Sequence, residues 1–208
     1  VETGVGDDSG TASMNCLKEN FDEVFKVFAD VLRTPAFAQD KLDLAKVQAN
    51  SGIARRNDQV MGILGREFPG LVYGNDSPLA RFEEYATIAA VTRDDLVEWH
   101  RKYYVPNGVY LGVVGDFDSK EMKKKIEAVF GDWKKGPAPA LPAVPYRKDP
   151  KPGVYFIEKS DVNQAYVMMG HLGIETKNPD YFAVQVMNEV LGGSFASRMF
   201  SNVRSKKG

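Results

Sequence analysis

The sequence has little of what several common kinds of functional site require. Cys16 is the only cysteine among the 208 residues, so the chain can form neither an internal disulfide nor a cysteine zinc cluster. Of the two histidines, His100 has no second metal ligand at helical spacing and His171 comes directly after Gly170 in a predicted strand, which favours hydrogen-bonded or surface positions for both. The formal net charge of −1 argues against nucleic acid or an anionic membrane as the main partner. No apolar run approaches the length of a membrane span.

What is present is an ordinary globular composition, with 43% hydrophobic and 26% charged residues, which is enough to build a core. Two alternating stretches around residues 6–10 predict a β-hairpin within Val1–Leu17. Apolar periodicity and capping residues predict helices over 21–32, 41–56, 57–73, 92–104 with Thr92 as N-cap, 118–129 and 180–191. Strands are predicted at 109–114, which reads as buried, and at 154–157 and 165–174.

A proline-rich stretch divides the chain. Residues 136–152 contain six of the eleven prolines and predict a semi-extended linker. We therefore predict one domain over 1–135, the linker over 136–152 and the beginning of a second domain over 153–208. The second domain has too few elements to bury a core by itself, so we expect the chain to be a fragment of a longer protein.

Several motifs occur together and in a consistent order. They are FADVLRTP at 28–35, YYVPN at 103–107 followed by VVGDF at 113–117, and LGGSFASR at 191–198 followed by Val203-Arg204. In these motifs the chain resembles the insulinase/pitrilysin-type zinc peptidases, a superfamily that includes the mitochondrial processing peptidases. The resemblance covers nearly the whole chain, and the last motif is the most specific.

The resemblance implies an α+β fold. Family members have two homologous halves, each a mostly antiparallel sheet packed against helices, and the halves close around a peptide-binding chamber. This chain would hold the later part of one half, the linker and the opening of the next half. The last motif continues in the family to a tyrosine, which would lie just past Gly208. Related bacterial proteins are often exported, so the resemblance favours a periplasmic or otherwise exported location.

The family's catalytic zinc is bound by His-x-x-Glu-His on one helix and by a glutamate on a later helix. The histidine motif would fall before Val1, so its absence from this sequence decides nothing. The resemblance places the glutamate position at Gly52, in a helix that has no glutamate, and Ser51 is no better a ligand. We therefore expect a degenerate zinc-ligand position at Gly52 and no metal in this chain. A glycine there suits close packing, at a cost of about 1 kcal/mol of helix stability.

Arg204 is the candidate substrate-binding residue, because the family arginine that it matches holds peptide backbone or the developing oxyanion. The alternative is a solvated cation among Arg198, Lys206 and Lys207. The Gly192-Gly193 pair predicts close backbone approach and a helix bend. The first strand matches a family edge strand to which peptides add, but Glu2-Thr3 stands where Asn-Ala is common, which argues against peptide binding at this half.

These observations predict a non-catalytic homologue or subunit of a zinc metalloendopeptidase that contributes Arg204 to a peptide-binding chamber. A homologous active subunit, joined in a heterodimer, would supply the zinc, and self-association is the other option. Two alternatives stay open. One is an active zinc peptidase whose ligand is misassigned, and the other is a structural or assembly subunit without a peptidase role. Whether the chain is part of an enzyme is therefore left open by the sequence.

Overall fold

A computed structural model describes residues 1–6, 9–137 and 143–208. The chain forms two compact units, Val1–Ile63 with Arg81–Pro145 and Leu64–Ala80 with Tyr146–Gly208. The tip of the predicted hairpin, residues 7–8, and residues 138–142 of the predicted linker lie outside the described residues. The domain boundaries at 135 and 153 stay a prediction.

Helices account for most of the regular structure. The α-helices are α1 Phe21–Arg33, α2 Gln39–Arg55, α3 Val60–Tyr73, α4 Tyr85–Ala90, α5 Arg93–Tyr103, α6 Ser119–Phe130 and α7 Tyr181–Asn188. Short 3₁₀ turns lie at Lys18–Asn20, Pro78–Ala80 and Pro106–Gly108, and π-helical segments at Glu189–Gly193 and Phe200–Ser205. The helices predicted from periodicity are confirmed, with α4 in addition. None of the helices in the described ranges is long and apolar enough to cross a membrane.

Local hydrogen bonds explain where two of the helices begin. The Thr92 hydroxyl accepts from the Asp95 backbone N–H at 3.2 Å, and the Asp95 carboxylate accepts from the Thr92 backbone N–H at 2.7 Å. This reciprocal capping box starts α5 at the predicted residue. Asp118 starts α6 by accepting from the backbone N–H groups of Lys120 and Glu121. Asp118, at the start of the predicted helix, is thus its N-cap.

The Asp95 carboxylate makes the capping of α5 dependent on pH. The hydrogen bond from the Thr92 hydroxyl, followed by that from the Thr92 backbone, lowers the Asp95 pKa below its ordinary value. The interaction therefore stabilises the fold above the ordinary pKa, and this stabilisation is lost as pH falls through the folded-state pKa. We expect Asp95→Asn to flatten the decline in unfolding free energy in acid, measured by urea denaturation at a series of pH values. Asp94→Asn is the matched control, and an equal flattening there would contradict the assignment.

Aromatic stacking builds the core of the first unit. Phe25 and Phe28 of α1 are 5% and 4% exposed, and their rings stack at 6.3 Å. Phe130 at the end of α6 meets Phe25 edge-to-face at 5.6 Å. Beside this cluster, Arg33 donates to the Val129 carbonyl and pairs with Asp132 at 2.8 Å. These contacts fix the C-terminal end of α1 against α6.

The predicted sheet packed against helices is not confirmed. Among the described residues, the only paired strands are β1 Glu2–Val5 and β2 Gly10–Ser13, which run antiparallel with Glu2 opposite Ser13. The prediction of a buried strand at 109–114 is wrong, since this segment forms no ladder and Tyr110 and Val114 are fully exposed. Residues 154–157 and 165–174 also form no strand. A strand needs a hydrogen-bonded neighbour, and no described segment pairs with these runs.

Candidate functional site

Gly52 lies on α2, directly before Ile53, which is 7% exposed. Gly52 itself is exposed, and a Cβ built on it would meet no atom within 4 Å. The prediction that this glycine serves close packing is therefore wrong, because the position faces open space. What the position does lack is a side chain that can donate to a metal.

Replacing Gly52 with alanine is expected to stabilise the first unit by about 0.4–1 kcal/mol. Alanine fits the helical backbone without a clash and restricts the unfolded chain. Urea denaturation measures the change. Gly131→Ala is the matched control in the same unit, because its Cβ would lie 2.4 Å from the Glu127 carbonyl oxygen. A destabilised Gly52→Ala protein would contradict the open surroundings of this position.

The donor chemistry of the described residues does not fit zinc. In the described ranges, no group of three or more His, Cys, Asp or Glu side chains is placed to hold a metal ion. His100 Nε2 lies 2.7 Å from the Leu32 carbonyl oxygen, and the His100 ring stacks on Tyr104 at 4.7 Å. His171 Nδ1 lies 2.6 Å from the Leu172 carbonyl oxygen. Both histidines are hydrogen-bonded to backbone, as predicted, and we assign them no metal chemistry.

Arg204 belongs to the π-helical segment Phe200–Ser205 and its side chain is exposed. The guanidinium carbon lies 5.0 Å from the centroid of the Phe200 ring, over the ring face. Within the described part of the chain, its N–H groups make no hydrogen bond or ion pair. A cation–π contact uses none of these donors, so the guanidinium fork is available for an acceptor on a ligand.

Ser197 holds the beginning of the helical segment that carries Arg204, at residues 198–207. It is 2% exposed, and its hydroxyl accepts from the Phe200 backbone N–H at 3.3 Å. Its carbonyl accepts from the Ser201 N–H at 3.0 Å. Ser197 therefore acts as an N-cap, a role that was not predicted from the sequence. The sequence pattern that could have predicted this role is a serine directly before a helical segment.

The glycine pair permits a close approach on the preceding π-helical segment. A Cβ on Gly193 would lie 2.7 Å from the carboxylate carbon of Glu189. Any other residue at 193 would therefore displace the Glu189 side chain. The close atoms belong to a side chain, so the close backbone approach predicted at Gly192-Gly193 stays a prediction. Segments of π-helix are rare and often occur at functional sites. Two of them flank residues 194–197, which makes this region a candidate functional site.

Residues 90–208 match the family described as the peptidase M16 inactive domain, and this match spans more than half of the chain. The chain belongs to this family. The predicted resemblance to zinc peptidases is thereby confirmed. The M16 inactive-domain match includes Arg204, Phe200 and Ser197, whereas Gly52 lies outside it.

Relatives of known sequence or structure agree with this membership. An uncharacterized zinc protease of Bacillus subtilis, YmxG, is 29% identical over 196 residues, covering 92% of this chain and 46% of that protein. A solved peptidase M16 inactive domain from Pseudomonas fluorescens is 26% identical with a TM-score of 0.71, over 92% of this chain and 46% of that one. A protease from Helicobacter pylori, at 22% identity and a TM-score of 0.65, shares the fold. The chain spans about half the length of these relatives.

Proposed function

We propose that this M16 inactive-domain chain is a non-catalytic part of a zinc metalloendopeptidase and that it contributes Arg204 to a peptide-binding chamber. The family description supports a non-catalytic role. Gly52, which has no donor side chain, supports it at the position expected for a zinc ligand. The relatives named as zinc proteases support peptides as the class of substrate.

The main support for the proposal is the exposure of the Arg204 guanidinium and the contacts that it makes. It is exposed, it rests on an aromatic ring, and its N–H donors have no acceptor among the described residues. The planar fork of a guanidinium matches the lone pairs of carbonyl and carboxylate oxygens.

The chemistry that follows is recognition and charge stabilisation by this chain. Arg204 would donate to a carbonyl oxygen of the bound peptide and would hold negative charge as it develops on the scissile carbonyl oxygen. A homologous chain with His-x-x-Glu-His would provide the metal site and the general base. A metal bound there supplies a Lewis acid and an activated water.

Zinc analysis of the protein tests the proposal. The protein in its full natural length, purified alone without chelators, is expected to hold less than about a tenth of an equivalent of zinc per chain. It should cleave fluorescein-labelled casein only after a homologous chain with an intact His-x-x-Glu-His is added. A full equivalent of zinc that survives dialysis, together with cleavage by the protein alone, would overturn the proposal and favour an active peptidase with a misassigned ligand.

A further inference from the structure

We infer that Phe200 is a positioning residue for Arg204 and that Phe195 supports Phe200 in this role. The inference rests on the proposed function of Arg204 and extends it to the residues that hold the guanidinium in place. Phe200 acts here through Arg204 and needs no contact with the peptide itself.

The first support is the position of the ring relative to the cation. Phe200 and Arg204 are four residues apart on one helical segment, so their side chains lie on the same side of it. The distance of 5.0 Å from the guanidinium carbon to the ring centroid is within the range of a cation–π contact. Phe200 is half-buried, whereas Arg204 is exposed. The ring is therefore the more fixed of the two partners.

The second support is that Phe200 is held from two directions. Phe195 meets the Phe200 ring edge-to-face, with the centroids 4.9 Å apart and the planes at 81°. This is a preferred geometry for aromatic pairs. At the backbone, the Phe200 N–H donates to the buried Ser197 hydroxyl. The ring and the backbone of Phe200 are thus both constrained. Because the Arg204 guanidinium lies over this ring, its position is restricted in turn.

The physical benefit is preorganisation. A free arginine side chain has many rotamers, and ordering it on binding costs free energy that lowers affinity. A ring that already holds the guanidinium near one position reduces that cost and leaves the N–H donors unused. Phe195, which is 79% exposed, then has a role that its exposure alone would not suggest.

The test compares peptide affinity and an NMR signal in matched variants of the full-length protein. Phe200→Leu is expected to weaken binding of fluorescein-labelled casein peptides by about threefold to tenfold, whereas Phe200→Tyr should stay within about twofold. In the unbound protein, the ring current of Phe200 should shift the Arg204 Hδ protons upfield, and Phe200→Leu should abolish this shift. Phe182→Leu is the control, because Phe182 is an exposed phenylalanine of the same unit whose ring contact is with Tyr181.

The outcomes separate this inference from the proposed function. If Arg204→Ala weakens binding but Phe200→Leu changes neither affinity nor the Arg204 signal, the positioning role is overturned and the proposed function stands. If Arg204→Ala itself has no effect, the proposed function fails. Should Phe200→Leu not fold, Phe195→Leu decides, with a smaller loss of affinity and a reduced Arg204 shift expected. An unchanged affinity and shift in folded Phe195→Leu would then overturn the inference.

Discussion

Replacing Arg204 with alanine is expected to weaken peptide binding by about tenfold to a hundredfold, since a hydrogen bond to a charged group contributes about 1.5–3 kcal/mol. Apart from its contact with the Phe200 ring, the exposed guanidinium has no hydrogen-bond or ion-pair partner among the described residues, so its removal leaves no buried polar group unsatisfied. The stability of the protein should therefore change little. Fluorescence anisotropy with labelled casein peptides measures the affinity, with the metal removed from the homologous chain to prevent cleavage.

Arg198→Ala is the matched control for this experiment. Arg198 carries the same charge, begins the same helical segment and is likewise exposed. A general attraction between a cationic surface and the peptide would make the two variants equal, whereas a specific contact affects Arg204→Ala alone. Arg204→Lys adds a further comparison, because lysine keeps the charge and loses the planar fork. We expect its affinity to lie between those of the native protein and Arg204→Ala.

An unchanged affinity in Arg204→Ala would remove the main support for a peptide-binding role. The structural or assembly alternative would then account better for the chain. The kinetics of cleavage by the reconstituted pair provide a second measurement. If Arg204 stabilises the developing oxyanion, Arg204→Ala should lower kcat as well as raise KM. A rise in KM alone would restrict Arg204 to binding the peptide before reaction.

Truncating Phe25 to alanine is expected to lower the unfolding free energy of the first unit by about 3–5 kcal/mol. Phe25 is 5% exposed and contacts three aromatic rings, those of Phe21, Phe28 and Phe130. Its removal leaves a cavity where α1 meets α6, and the neighbouring rings cannot all close it. Urea denaturation followed by circular dichroism measures the loss.

Val27→Ala on the same helix is the control for Phe25→Ala. Val27 is 51% exposed, so its truncation should cost less than about 1 kcal/mol. Comparable losses in the two variants would contradict the role of Phe25 in the core, because helix propensity favours alanine at both positions. A loss well below the expected range for Phe25→Ala would indicate that the core relaxes around the missing ring.

The helices were predictable because their signals are local. The apolar spacing of 21–32 identifies α1, and Pro35 limits its end. Thr92 and Asp95 start α5 through bonds between residues three apart, which the sequence displays directly. The two-stranded hairpin was predictable for the same reason, since its strands are neighbours along the chain. Each of these elements is determined by residues within a few positions of one another.

The strand at 109–114 was predicted incorrectly because its evidence was not local. An apolar run such as Val109–Val114 can be a buried strand only where another strand pairs with it, and a sequence does not show whether that neighbour is present. In the described residues it is not, and the side chains of Tyr110 and Val114 are exposed. The open surroundings of Gly52 were unpredictable for a similar reason, since they depend on what the rest of the chain places beside α2.

By itself, the sequence determined the family, the positions of the helices, the absence of a donor side chain at Gly52 and the candidate Arg204. These follow from residue identity and short-range spacing, which need no knowledge of distant neighbours. Only the tertiary structure decided that Gly52 faces open space, that Ser197 is buried as an N-cap and that the Phe200 ring contacts both Phe195 and Arg204. Burial and ring contact are properties of side chains in three dimensions, and they exist only after the backbone between them has taken its shape.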